Sequence, residues 1–166
     1  MSEEPREPLK YITTPVHLEY DHSAGVAATR FLKGLLEKKI MGARTGPDAP
    51  VMVPPRGADP RTSELAQEMV EVKDTGTVVT FSVIRVPSEN IKFELPYVCI
   101  SVLCDGAGVP MFHVLQNCPL EDVRIGMRVK AKWVPDDQLT TNIGSIEYFE
   151  PTGEPDVPFE QLKEHT

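Results

Sequence analysis

The chain has 166 residues, with 25 acidic side chains against 17 Lys and Arg and a net charge of −8. That balance argues against non-specific binding to nucleic acid or an anionic membrane, and no stretch approaches the ~18 uninterrupted apolar residues of a membrane span. The polar start MSEEPREPLK lacks the apolar segment of a secretory signal, and three cysteines without a C-x-x-C pair predict a reduced, cytoplasmic protein.

Along the chain, residues 1–22 carry little periodicity and predict an extended arm. A helix is expected over 23–40: Asp21 or Ser23 is positioned as N-cap, and Val26, Phe31, Leu32, Leu35 and Leu36 recur near helical spacing. Gly42 is the expected stop. Five prolines in 47–60 (GPDAPVMVPPRGADP) demand extended or irregular backbone, because proline fixes φ and removes a donor. The unit 23–68 is therefore a helix plus a connector.

From Val70 the hydrophobic period becomes two. Strands are predicted at 76–86 (GTVVTFSVIRV), 96–104 (PYVCISVLC), 109–116 (VPMFHVLQ), 127–134 (MRVKAKWV) and 144–149 (GSIEYF). Asp105-Gly106-Ala107-Gly108 supplies hairpin chemistry between the second and third. In the fourth, Met127, Val129, Ala131 and Trp133 oppose Arg128, Lys130 and Lys132, so one face is buried and the other wet. PLEDVRIG is too polar for a strand and fits a short helical turn. Five strands with a helical insert after the third predict a mainly β fold, a closed OB-type barrel over 69–150, with a half-open sandwich as the alternative. Residues 151–166 form an acidic, Pro-rich tail, left open between disorder and binding across a partner.

Signatures of common catalytic sites are missing: there is no G-x-G-x-x-G, Walker A, H-E-x-x-H or G-x-S-x-G. His17, His22, His113 and His165 are too scattered to suggest a metal site. His113 reads as a hydrogen-bonded residue of the barrel wall, and Cys99, Cys104 and Cys118 read as small hydrophobes. Glu121 and Asp122 are adjacent, so they do not face each other on a helical turn. Residues 30–61 hold seven Lys and Arg against three acids, whereas 150–166 hold five acids and one lysine. A basic helix and connector would steer an anionic ligand; a merely solvated face is the plainer reading. The second and third strands offer Tyr97 and Phe112 but no cation, which makes an oligonucleotide site improbable.

The order RFLKGLLEKKI, VMVPPR, GTVVTFSVIRVP, LPYVCISVL and PLEDVRIGMRVKAKWVP resembles the OB-fold acyl-CoA-associated family, formerly domain-of-unknown-function family 35. The resemblance covers roughly residues 28–150, and VPPR at 53–56 and EDVRIGMRV at 121–129 carry most of it. It implies an N-terminal helix, a rubredoxin-like zinc ribbon and an OB barrel. It also implies a non-catalytic subunit that docks on a thiolase-superfamily enzyme, a thiolase or retro-aldolase, in a hetero-oligomer, for example two plus two. A MaoC-like hydratase is a further partner in some members. The ligand of such a complex is a bulky acyl-CoA, with steroid side-chain or aromatic-acid breakdown as the setting. Lys33, Lys38, Lys39, Arg44 and Arg56 are then the CoA-binding candidates, because phosphates favour charge-assisted bonds.

The chain departs from the family at the ribbon. Alignment on Val53-Pro54-Pro55-Arg56 places the four ligand positions at Thr45, Asp48, Asp59 and Thr62, none of them cysteine. Zinc wants thiolates or imidazoles, so no metal is expected, and the connector must be held by proline stiffness and by packing on a partner or the barrel. Two other classes stay open: a stand-alone acyl-CoA or lipid-binding module, and an enzyme using His113 or Cys118.

Overall fold

The structure, a computed structural model, describes residues 15–87 and 93–165. Residues 1–14 of the expected arm lie outside that set, and 15–24 have no regular structure. Helix α1 spans Gly25–Leu35, shorter at both ends than the 23–40 expected from periodicity. The N-cap is Ala24, which has no capping side chain, and not Asp21 or Ser23; Ser23 Oγ, one residue earlier, accepts from the Gly25 N–H at 3.4 Å. The C-terminus is set by Lys38, not Gly42. Lys38 takes a left-handed φ of 55°, and the Lys39 N–H donates back to the Gly34 carbonyl at 3.0 Å. This satisfies a helix-end carbonyl and turns the chain away.

Gly42 belongs instead to strand β1 (Ile40–Arg44), which pairs antiparallel with β2 (Glu68–Val72). A side chain at Gly42 would meet Val51 Cγ1 at 2.4 Å, so the glycine lets the connector lie close. Met52 and Ala43 exchange both main-chain hydrogen bonds, at 2.8 and 3.0 Å. The connector is thus no loose link. Its Val51 and Val53 join Phe31, Leu35, Ile40 and Val72 in a hydrophobic cluster continuous with the barrel core.

The barrel has five strands: β3 (Thr75–Ile84), β4 (Tyr97–Cys104), β5 (Met111–Leu115), β6 (Arg128–Trp133) and β7 (Ile146–Pro151). Hydrogen bonding runs β3-β4-β5-β7-β6 and closes back onto β3, the topology of the OB fold. All pairs are antiparallel except β5–β7, a parallel contact with a single register pair, Leu115↔Phe149. A bulge on β3 places Val79 beside Val78, and both are completely buried. Alternation on β4 and β5 sends Val98, Ile100, Val102, Met111 and Leu115 inward. Phe149 and Ile146 of β7 complete the core and are fully buried.

On β6 the expected alternation holds for Val129 and Ala131, buried, and for Lys130 and Lys132, exposed. Arg128, placed on the wet face by pattern, is only 15% exposed, for a reason given below. The predicted helical turn is a short 3-10 turn at Leu120–Asp122.

The tail is ordered against the barrel. The Val157 N–H donates to the Gly126 carbonyl at 2.8 Å, the Thr152 N–H donates to the Arg128 carbonyl at 3.0 Å, and Leu162 is buried. Gly126 has φ 92°, and a Cβ there would lie 2.5 Å from the Val157 oxygen. The EDVRIGMRV run therefore holds the tail down with a glycine that no other residue replaces comfortably.

Candidate functional site

The five cations expected to face CoA are not gathered in one place. Lys38 is paired with Asp136, and Lys39 with Glu37 at 2.6 Å. Arg44 donates through Nε to Glu68 at 2.7 Å and through a terminal nitrogen to the Pro47 carbonyl at 2.7 Å. Pairing with Glu68 raises the Arg44 pKa and lowers that of the glutamate. These three side chains brace the turn after α1 and the first connector loop. Lys33 and Arg56 are exposed. Lys33 lies with Arg30, Thr29 and Val26 along a groove on α1, while Arg56 lines a different cleft. Arg30, a further exposed cation of α1, borders both the α1 groove and a smaller cleft with Gly57 and Glu68.

The four ligand positions fall in two loops. Thr45 and Asp59 are buried, and Asp48 and Thr62 are exposed. Asp59 Oδ1 accepts from the Arg61 N–H at 2.7 Å, and Thr62 Oγ1 accepts from the Glu64 N–H at 3.3 Å. Two hydroxyls and two carboxylates do not fit a structural zinc, which is held by thiolates and imidazoles. Among the described residues no three His, Cys, Asp or Glu side chains converge as a metal site.

A cleft of about 730 Å³ lies where the connector meets the β4–β5 hairpin and the end of the tail. Arg56 and Arg61 share it with Asp48, Asp59 and Glu164, so its charge is mixed. Gly108 seals its floor: the Gly108 N–H donates to the Val51 carbonyl at 2.8 Å, and a side chain there would strike Pro50.

Next to the hairpin is an ion lock. Arg128 donates to both Asp105 oxygens at 2.7 Å each and to Thr77 Oγ1 at 2.9 Å, and the Thr75 hydroxyl donates to Asp105 Oδ2 at 2.5 Å. Such a two-pronged pair is among the stronger polar contacts. The Arg128 guanidinium holds the Asp105 carboxyl below the usual carboxylate range. This explains why a wet-face residue is drawn in. Glu154 of the tail adds a contact to Arg128 Nε at 3.4 Å, and Asp156 grips Arg124 through two oxygens.

Burial shifts all three thiols and His113. Burial and the neighbouring carboxylates of Asp105 and Asp74 push the Cys104 thiol up to about 12. Burial also raises Cys99 and Cys118, opposite to the shift a nucleophilic thiol needs. His113 points into the barrel wall as expected, but its Nδ1 has no hydrogen-bond partner. Its ring packs edge-on against Phe149, with centroids 5.5 Å apart. Burial lowers its pKa, and the backbone of Ile143, Val114 and Ile146 partly offsets this.

The feature that sequence reading missed is on the outer wall. Phe112 on β5 is 80% exposed, whereas Tyr97, named with it as an aromatic of these strands, is buried. By register, Phe112 stands beside Ser101, itself buried, which in turn neighbours the exposed Thr80; half-buried Val114 stands beside half-buried Cys99, which neighbours the exposed Ser82. All six are uncharged in a chain that is 25% charged. A neutral patch with a protruding aromatic has the composition of an interface core. Strand alternation was the available signal, because it sets Phe112 opposite to Met111.

Comparison with known proteins agrees with this architecture. Residues 69–134 match the family of ChsH2 C-terminal OB-fold domains. A solved chain described as the Ltp2-ChsH2(DUF35) aldolase is 21% identical over 74% of this chain and 91% of its own, with a TM-score of 0.55. A DUF35-family protein of unknown function from Sulfolobus solfataricus is 19% identical over 76% of this chain and 84% of its own, also at 0.55. No curated protein matches the chain in sequence. No helix among the described residues is long and apolar enough to cross a membrane. The barrel segment 69–134 is thus similar to the ChsH2 C-terminal OB-fold domains, and the chain shares its fold with these DUF35 structures.

Proposed function

We propose that the chain is a non-catalytic accessory subunit that docks on a thiolase-superfamily enzyme, a thiolase or retro-aldolase, and helps that enzyme hold a bulky acyl-CoA. The observation that carries this reading is the neutral outer wall of β4 and β5, from which Phe112 stands 80% exposed, on a barrel similar to the ChsH2 OB-fold domains. The solved relative is described as part of an aldolase with Ltp2, which supports an aldolase-type partner. Raised thiols and an inward-facing His113 support a chain without a reactive centre of its own. Lys33 and Arg56, neither of which is in an ion pair among the described residues, are the cations available to CoA phosphates, joined by Arg30. The acyl group in this proposal is of the steroid side-chain or aromatic-acid kind.

The test is co-expression with a thiolase-superfamily enzyme, followed by size exclusion and acyl-CoA turnover by each component alone and together. We expect a stable hetero-oligomer, with turnover requiring the enzyme. Phe112→Ser should leave the isolated chain folded and weaken the complex by about 30-fold, the effect of losing an interface anchor worth about 2 kcal/mol. Turnover of a thioester by this chain alone would overturn the proposal.

A further inference from the structure

The connector contains two short hairpin-like loops. The first follows β1: Ala43 and Met52 bridge its base, and the Ala49 N–H donates to the Gly46 carbonyl at 3.1 Å across its tip. The second is bridged by Ala58 and Leu65, and the Ser63 N–H donates to the Asp59 carbonyl at 2.8 Å. Thr45 and Asp48 in the first loop, and Asp59 and Thr62 in the second, have the two-residue spacing of a paired ligand set. Their donors do not suit zinc. What they do instead is visible. Asp59 and Thr62 each accept the N–H two residues further on, so that the main chain of their own loop satisfies them. Side-chain oxygens at such positions imitate a backbone turn. Ser63 completes the second loop in a left-handed conformation, φ 61°. In the first loop the equivalent role falls to Arg44, whose guanidinium spans from the Pro47 carbonyl to Glu68 on β2. The whole unit is then pressed onto the barrel by Val51, Val53 and the Gly108 hydrogen bond.

We infer that this connector is a metal-independent ribbon: Asp59 and Thr62 hold one loop and Arg44 the other through main-chain hydrogen bonds, in place of a shared metal. The inference concerns how the connector is held and does not depend on which enzyme the chain partners. It makes Asp59 a positioning residue that acts through its accepting oxygen more than through its charge: the Arg61 N–H bond is 2.7 Å long, whereas the ion pair with the exposed Arg61 side chain is at 3.8 Å.

The experiment uses the full-length chain. Arg56 and Arg61 are exposed, so limited trypsin digestion reads the order of the second loop. The purified protein should contain no stoichiometric zinc, iron or copper by elemental analysis. EDTA should leave the cleavage rate at Arg56 and Arg61 unchanged. Asp59→Ala should speed cleavage at Arg61 by about tenfold, the loss expected for one hydrogen bond of ordinary strength. Asp59→Asn, which keeps the accepting oxygen, should cleave nearly as slowly as the parent. Stoichiometric metal, acceleration by EDTA, or Asp59→Asn behaving like Asp59→Ala would each overturn the inference. The metal and EDTA measurements need no variant, so they stand even if Asp59→Ala fails to fold.

Discussion

Replacing Arg128 by methionine should cost the barrel more than any other single surface-facing change. Arg128 ties β6 to Thr77 on β3 and, through Asp105, to the end of β4. Its side chain is 15% exposed and that of Asp105 is 31% exposed. A fully exposed ion pair contributes ~0–1 kcal/mol, and removing one partner of a fully buried pair costs ~3–5 kcal/mol. The pair lies between these limits, so Arg128→Met should lose about 2–3 kcal/mol, much of it because Asp105 is left half-buried and unpaired. For a chain of this size that corresponds to a melting temperature lower by roughly 5–10 °C. The double variant Arg128→Met with Asp105→Leu should recover part of the loss, because no charge is stranded. The pH dependence gives a second handle. The Asp105 carboxyl is held below its ordinary value of 3.8, so its contribution is present above that pH and is lost as pH falls through the lowered value. Urea titrations at neutral and acidic pH test both statements. A loss under ~0.5 kcal/mol for Arg128→Met, or equal acid sensitivity in parent and variant, would refute the reasoning.

Three further outcomes are expected. Gly126→Ala should destabilise by more than about 1 kcal/mol, because its φ is positive and the new methyl would strike the Val157 oxygen; hydrogen exchange at the Val157 amide should rise with it. His113 has its pKa lowered by burial, so stability should fall as pH drops below the ordinary 6.5 and level off once the folded-state value is passed; His113→Phe should flatten that window in thermal scans. Lys33→Glu and Arg56→Glu should weaken acyl-CoA binding by the complex, measured calorimetrically, without lowering the melting temperature of the isolated chain. Arg44→Gln should do the reverse, since Arg44 braces Glu68 and Pro47.

The barrel was legible because its signals are local. Asp105-Gly106 makes the hairpin wherever it is placed, and the alternation of Met127, Val129 and Ala131 has only one burial solution. The end of α1 was not legible, because Gly42 looks like a stop in sequence and serves a close approach to Val51 in space. The β1–β2 pair was hidden for a related reason: strands of five residues, one of them interrupted by Gly42, have too little period to count, and their partners are 24 or more residues apart. The tail's docking depends on Asp156 meeting Arg124 and Val157 meeting Gly126, encounters that no window of sequence displays. The basic cluster of residues 30–61 is real in composition, but local carboxylates pair with Lys39 and Arg61 and distant ones with Lys38 and Arg44. Counting charge reveals a surplus; only folding decides which cations remain available.

The parallel junction of β5 with β7 gives the cylinder one weak zip. A single register pair, Leu115↔Phe149, and the Gln116 N–H bonded to the Phe149 carbonyl at 2.9 Å stitch it. If this wall breathes, it should do so there first, and the fully buried Phe149 ring sits directly behind the gap as its bolt.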